Sequence, residues 1–145
     1  PNDFVSGELE DAILRCDRDC SPDLILLEGQ SYLRNPSGPC GSEFICSAMA
    51  KGVILQHVPV RKTLHFNNAS LPMPDIQGDL DLIKIYGART LALTLNSEGL
   101  APTELEGIRK DHQQRFGLPV FLPKETGVEG LVAVIKDFLF QEKNV

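Results

Sequence analysis

The 145 residues carry 14 Lys+Arg against 20 Asp+Glu, a formal net charge of -6. An acidic chain with no basic run and no alternation of basic with aromatic residues is a poor match for nucleic acid, so the expected partners are small molecules and proteins. Its apolar runs fall far short of the roughly 18 residues that suggest a membrane span, and no basic-then-apolar leader opens the chain. The expectation is a cytoplasmic protein with no membrane partner, built as one domain or part of one that can bury roughly 70% of its unfolded surface.

The first predicted element is a helix in PNDFVSGELEDAILRC, with Cys16 and Cys20 closing its acidic length. Asp3 stands just ahead of it and reads either as a cap or as a partner for a substrate ammonium. Four short runs rich in Val, Ile and Leu then recur at wide intervals: 23–27 (DLILL), 53–58 (VILQHV), 90–95 (TLALTL) and 119–122 (PVFL). Near-continuous apolar runs separated by helical periodicity are the pattern of strands covered on both faces, so each is predicted to be a strand of one parallel sheet.

After the first run, the loop GQSYLRNPSGPCGSEF leads into a helix with Ser42 as its cap and Phe44, Ile45, Cys46 and Met49 on an apolar face, which makes Cys46 a small core residue. Prolines and asparagines make 59–73 a loop. A helical stripe of Ile76, Leu80, Ile83, Ile85 and Tyr86 follows Pro74. Leu105, Ile108 and Phe116 mark another after a capping box at 103–106. A second capping box, 126–129, opens a C-terminal helix whose apolar face is Val128, Leu131, Val132, Ile135 and Leu139.

The predicted fold is α/β, a mostly parallel sheet with helices on both faces and one open edge. The chain opens on a helix with no strand before it and contains no GxxxxGK[ST], which suggests the C-terminal portion of a longer unit whose phosphate-loop strand lies elsewhere. None of the spacings of Cys16, Cys20, Cys40 and Cys46 gives a metal-ligand pattern, so four free thiols are expected.

In an open parallel sheet, ligands gather outside the carboxyl ends of the strands. Glu28 is the foremost candidate there: a carboxylate followed by Gly29 and Gln30 can receive a proton or hold a metal-bound water, while the plainer reading is a helix-end contact. Asn96 can offer a donor and an acceptor to a base edge or simply hold a turn. His57, in an apolar strand, reads as a core histidine. Arg61, between His57 and His65, suits an anionic ligand. His112, in RKDHQQR, reads as part of a solvated helix face.

Several of these segments carry a resemblance. PDLILLEGQ followed by an asparagine-proline loop, and LALTLNSEGL followed by GLPVFLP, resemble the later part of the P-loop nucleotide-binding fold of dethiobiotin synthetase and its relatives. NDFVSGELE, LEGQSYLRNPSGPCG, ILQHVPVRKT and LTLNSEGL, in that order, resemble more closely the C-terminal domain of the family of unknown function that includes the D-glutamate N-acetyltransferases.

That resemblance implies a P-loop NTPase-like three-layer fold over nearly the whole chain, with the P-loop and a Rossmann-like domain upstream. The chain would then be roughly the last two-fifths of its polypeptide. It also implies an N-acetyltransferase acting on the amino group of a D-amino acid, D-glutamate in the first place, with acetyl-CoA, and a homo-oligomer. Glu28, Gly29 and Gln30 match the family's acidic strand end, Asp3 its aspartate before phenylalanine, and Arg61 its basic residue after a histidine-proline segment. Asn35 and Tyr32 depart from it, standing where the family usually has histidine and a small residue. Two other readings stay open. One is a magnesium-ATP enzyme of the dethiobiotin-synthetase kind, with Glu28 on the metal and Asn96 on the adenine. The other is a nucleotide-binding module, or a fragment, without turnover.

Overall fold

The computed structural model describes residues 4–29, 32–35, 40–66 and 69–143. In chain order the elements are α1 (Val5–Cys20), α2 (Cys40–Ser47), β1 (Gly52–His57), β2 (Thr63–Phe66), β3 (Ala69–Pro72), α3 (Ile76–Ile85), β4 (Arg89–Leu95), α4 (Pro102–Phe116), β5 (Val120–Phe121), α5 (Pro123–Thr126) and α6 (Glu129–Glu142). β1, β4 and β5 form a parallel sheet in the order β1-β4-β5. The apolar and β-branched run TLALTL is the central strand, and it is buried from Ala92 to Leu95 because helices cover it from both sides.

The pairing Leu93 to Val120 and Thr94 to Phe121 shows how the faces divide. Alternate residues point to opposite faces. Leu93, Leu95, Val120 and Leu122 meet Ile76 of α3 and Leu105 of α4 in one cluster. On the other face α6 packs so closely that a Cβ on Gly130 would collide with the Phe121 ring. A Cβ on Gly52 would sit 3.1 Å from Phe138 and 2.7 Å from Leu91, so β1 too lies against α6. A second cluster, Leu33, Ile45, Ile83 and Ala88, joins α2 and α3 beside Val53 and Leu55 of β1.

The α/β class, the parallel sheet and the two helical layers are as the sequence predicts, but several elements differ. The run 23–27 is not a strand in this chain: it makes no ladder, and Leu24, Leu26 and Leu27 are exposed. The stretch 59–73 is not all loop, since β2 and β3 pair antiparallel from Thr63 with Pro72 to Phe66 with Ala69. β-branched Thr63 and aromatic Phe66 favour the extended chain there despite the flanking prolines.

Cys46 is exposed rather than in the core, because Ile45 takes the inward position and the next residue of a helix turns ~100° away. Ser42 lies inside α2, and its hydroxyl donates to the Leu33 carbonyl at 3.5 Å. α4 starts earlier than its expected box: Pro102 takes the first helical position, and the Glu104 carboxylate accepts from the Ala101 N–H at 3.0 Å. Thr126 ends α5, its hydroxyl donating to the Leu122 carbonyl at 3.1 Å, and α6 begins beyond Gly127. Ile85, Val128 and Val132 point outward, so the inward stripes of α3 and α6 are narrower than their apolar sequence suggests.

Cys16, Cys20 and Cys46 are free thiols, and the Cys40 side chain lies outside the described residues. No helix among the described residues is long and apolar enough to cross a membrane.

Candidate functional site

The carboxyl ends of β1 and β4 lie side by side: the Asn96 N–H donates to the His57 carbonyl at 2.9 Å. Asn96 Oδ1 accepts from the Glu98 N–H at 3.0 Å, the short-range bond by which an asparagine shapes a turn. Lys124, carried by α5 just past β5, brings its Nζ to 3.4 Å from the same oxygen. Arg61 Nη2 lies 3.5 Å from Glu98 Oε2 with both side chains exposed. Three strand ends and the turn after β1 thus place Arg61, Glu98, Asn96 and Lys124 on one charged rim.

Beside this rim opens a hollow of about 1010 Å³. The segment 22–29, which has no regular secondary structure, β1 and Phe138 of α6 all line it. Glu28, Gly29, His57 and Arg61 all border it. The chain therefore brings together Glu28, Gly29 and Arg61 from distant parts of the sequence. Asn96 is not in the wall but on the adjoining rim. Asn35 sits in the turn where its N–H donates to the Tyr32 carbonyl at 3.0 Å. Asp3 and Gln30 lie outside the described residues.

Gly29 is informative. Its backbone is not in the left-handed region, and a Cβ there would stand 3.4 Å from the Phe44 ring, an ordinary contact distance. Neither backbone conformation nor packing demands glycine at this point. Open space next to Glu28 is what the missing side chain provides.

The loop beyond Gly29 is tied down by groups the sequence reading passed over. Asp79, on α3, is 3% exposed and accepts from two donors: the Tyr32 hydroxyl, whose oxygen lies 2.9 and 3.1 Å from the two carboxylate oxygens, and Arg34 Nε at 2.7 Å. Arg34 Nη2 also donates to the Asp75 carbonyl at 2.6 Å. Burial pushes the Asp79 carboxyl up from its ordinary value, against the pull of both donors. Burial, followed by the bond to Asp79, pushes the Tyr32 phenol well up. Burial opposes the charge on Arg34, but the Asp79 bond outweighs it and the guanidinium is held more firmly protonated. The signal in the sequence was a carboxylate within the stripe Ile76, Leu80, Ile83, since a buried charge requires partners.

His112 is not a solvated residue. Its side chain is 14% exposed, and its ring lies 5.8 Å from that of His57 and edge-on to Phe116 at 5.5 Å. Neither ring nitrogen finds a hydrogen-bond partner among the described residues. Burial, then the neighbouring His112 and Lys62, lowers the His57 pKa to about 4, so this imidazole is neutral near pH 7. A further hollow along α4 and β5 carries Glu106 and Arg109, but these charges satisfy each other at 2.7 and 2.8 Å. The described residues hold no cluster of three His, Cys, Asp or Glu side chains suited to a metal ion.

The family model DUF1611_C, a domain of unknown function described as a P-loop domain, matches residues 1–132. The chain belongs to the DUF1611 family. Its fold is similar to the crystal structure of a DUF1611 family protein from Anabaena variabilis ATCC 29413, with a TM-score of 0.78 at 20% sequence identity. That likeness covers 97% of this chain and 41% of the other protein. Among curated proteins none matches the chain. For a DUF1611 P-loop domain, residues 1–145 contribute the strand-end side chains and contain no GxxxxGK[ST] of their own.

Proposed function

We propose that this chain forms part of the active site of an N-acetyltransferase-like enzyme that moves an acetyl group from acetyl-CoA to the amino group of a D-amino acid, D-glutamate first among them. The observation that supports it is that the Glu28 carboxylate and the Arg61 guanidinium border one hollow, which Asp23, Lys51 and Glu142 also line. An amino acid presents the complementary pair, an ammonium and a carboxylate.

In this reading Arg61 holds the substrate carboxylate, leaving Glu98 to do so. An exposed ion pair of this kind contributes no more than about 1 kcal/mol, so a bidentate carboxylate can displace it. Glu28 first takes a proton from the bound ammonium and passes it to solvent, which frees the amine lone pair, and it accepts the second proton as the nitrogen attacks the thioester carbonyl carbon. A C–N bond forms, the C–S bond breaks, and that second proton passes to the departing thiolate. The P-loop of the family would carry the phosphates of CoA. The reading includes a homo-oligomeric, cytoplasmic enzyme with a small-molecule partner.

A second reading is a magnesium-ATP enzyme, which the family's P-loop favours. Magnesium takes one or two carboxylates plus phosphate oxygens, a role Glu28 could fill without a protein cage. Asn96 as the adenine contact fits less well, because its amide oxygen already holds the 96–98 turn. The intact protein separates the two. The first reading expects CoA thiol release with acetyl-CoA and D-glutamate, slower release with L-glutamate, and no phosphate release from ATP. ATP-dependent phosphate release without CoA turnover supports the second and rejects the first.

A further inference from the structure

We infer that His57 is a further catalytic residue of the acetyl transfer, donating an imidazole N–H to the oxyanion that forms on the thioester carbonyl, and that His112 is the positioning residue behind it, roles that rest on the reaction proposed above. His112 is the residue out of place. Leu105, Ile108, His112 and Phe116 follow one face of α4 at helical spacing, and the other three are core residues or pack against the core. His112 is largely buried in that stripe, yet neither of its ring nitrogens has a hydrogen-bond partner among the described residues. A polar group buried without a partner is costly, and an apolar side chain would fill the same place without that cost.

His112 faces His57, the last residue of β1, with the ring centroids 5.8 Å apart and the planes tilted by 34°. Two imidazoles joined by an N–H···N bond stand roughly 5 Å apart, so the rings need close by only about 1 Å. Phe116, edge-on at 5.5 Å, backs the His112 ring. The Asp111 carboxylate lies 3.4 Å from His112 Nδ1, but it is exposed and makes no hydrogen bond there. A His112 N–H that meets His57 makes one His57 nitrogen the acceptor and leaves the proton of the neutral ring on the other. That second nitrogen belongs to a residue bordering the hollow with Glu28 and Arg61, on a backbone pinned by the Asn96 N–H at 2.9 Å.

The choice between donor and base follows from the surroundings. Burial, then His112 and Lys62, holds the His57 pKa at about 4, which makes the ring a poor proton acceptor near pH 7 and leaves it a full N–H donor. The reaction already has its proton acceptor in Glu28 and lacks a donor for the carbonyl oxygen. As the amine nitrogen attacks, the carbonyl π pair moves onto that oxygen, and the His57 N–H bonds to it without giving up its proton. When the pair returns, the C–S bond breaks and His57 is left as it began. A neutral donor held ready where charge develops stabilises the transition state more than the ground state.

The test uses the intact protein, with CoA thiol release from acetyl-CoA and D-glutamate. His57→Phe keeps a flat ring and removes the donor, so kcat should fall about 100-fold or more while KM changes less than about threefold. His57→Gln keeps an N–H and should retain kcat within about tenfold of the parent. His112→Phe should lower kcat about tenfold at unchanged KM while Tm holds or rises, because two unpaired buried nitrogens are gone. Two-bond nitrogen–proton NMR at pH 7 should show His57 neutral in one tautomer in the parent and in mixed tautomers in His112→Phe. Full activity in His57→Phe overturns the donor role, and an equal loss in His57→Phe and His57→Gln overturns it in favour of a base. Unchanged kcat and an unchanged His57 tautomer in His112→Phe overturn the positioning role. Absence of thiol release by the parent rejects the acetyl transfer itself and both roles with it, whereas parental turnover matched by His57→Phe rejects the donor role alone.

Discussion

Arg34 Nε lies 2.7 Å from Asp79 Oδ1, a bond that spans 45 residues and ties the loop after Gly29 to the first half of α3. The Tyr32 hydroxyl reaches the same carboxylate. Two residues of one short loop therefore hang on one buried charge, and the wall that carries Glu28 is held by it.

Asp79→Ala should lower stability by about 2 kcal/mol, less than the loss of a fully buried pair because Arg34 is itself partly exposed. Tyr32→Phe, which removes one donor and keeps the ion pair, should cost about 1 kcal/mol. Urea denaturation of the three proteins checks the order. Equal stability of Asp79→Ala and the parent would mean that the loop is held by apolar contacts alone.

His57 supplies a pH dependence whose sign can be worked out. Its pKa falls from 6.5 to about 4 on folding. Between those values the unfolded chain binds the proton and the folded one does not, so stability rises with pH across the window and is lost as the pH falls from about 6.5 toward 4. The half-exposed setting reduces the full effect to about 2 kcal/mol. His57→Gln should flatten this part of the stability curve, measured as Tm at intervals between pH 4 and 7; an unchanged slope would assign the dependence to other groups.

Two helical glycines should respond oppositely to alanine. Nothing lies within 4 Å of a Cβ at Gly107 in α4, so Gly107→Ala should stabilise by about 1 kcal/mol through helix propensity alone. At Gly78 in α3 the new Cβ would stand 2.8 Å from Arg34 Nη1 and 2.9 Å from Asp75 Oδ1. Gly78→Ala should therefore gain nothing, because Arg34 must leave its place over the helix start. A similar gain at both sites would show that Arg34 moves aside without cost.

The legible parts of the fold were those where pattern and environment agree. TLALTL and VILQHV are apolar runs that a sheet covered on both faces needs, and both are strands. DLILL has the same pattern but no ladder, since a strand exists only when a neighbour supplies hydrogen bonds, and composition cannot show whether that neighbour lies within the chain. The Asp79 clamp was hidden for a related reason: pattern reading tracks apolar positions, whereas the partners of Asp79 come from a loop over 40 residues away. His112 looked solvated among RKDHQQR because the His57 ring that covers it is placed by the fold, although Phe116, four residues on along α4 and in the apolar stripe, was a local signal that this face turns inward. Glu28 and Arg61 could be picked as strand-end residues, but their common hollow required coordinates.

The central claim is that Glu28 faces that hollow to do chemistry. The most direct measurement is CoA thiol release by the intact protein and its Glu28→Gln variant, with acetyl-CoA and D-glutamate, taken together with the Tm of each. Because Glu28 is exposed and the amide keeps the shape of the carboxylate, the variant should fold with a Tm within ~2 °C of the parent. Loss of the proton acceptor should lower kcat by about 100-fold or more. Full activity in Glu28→Gln, or a large fall in Tm with normal turnover by the folded fraction, would contradict the account and make Glu28 a structural residue.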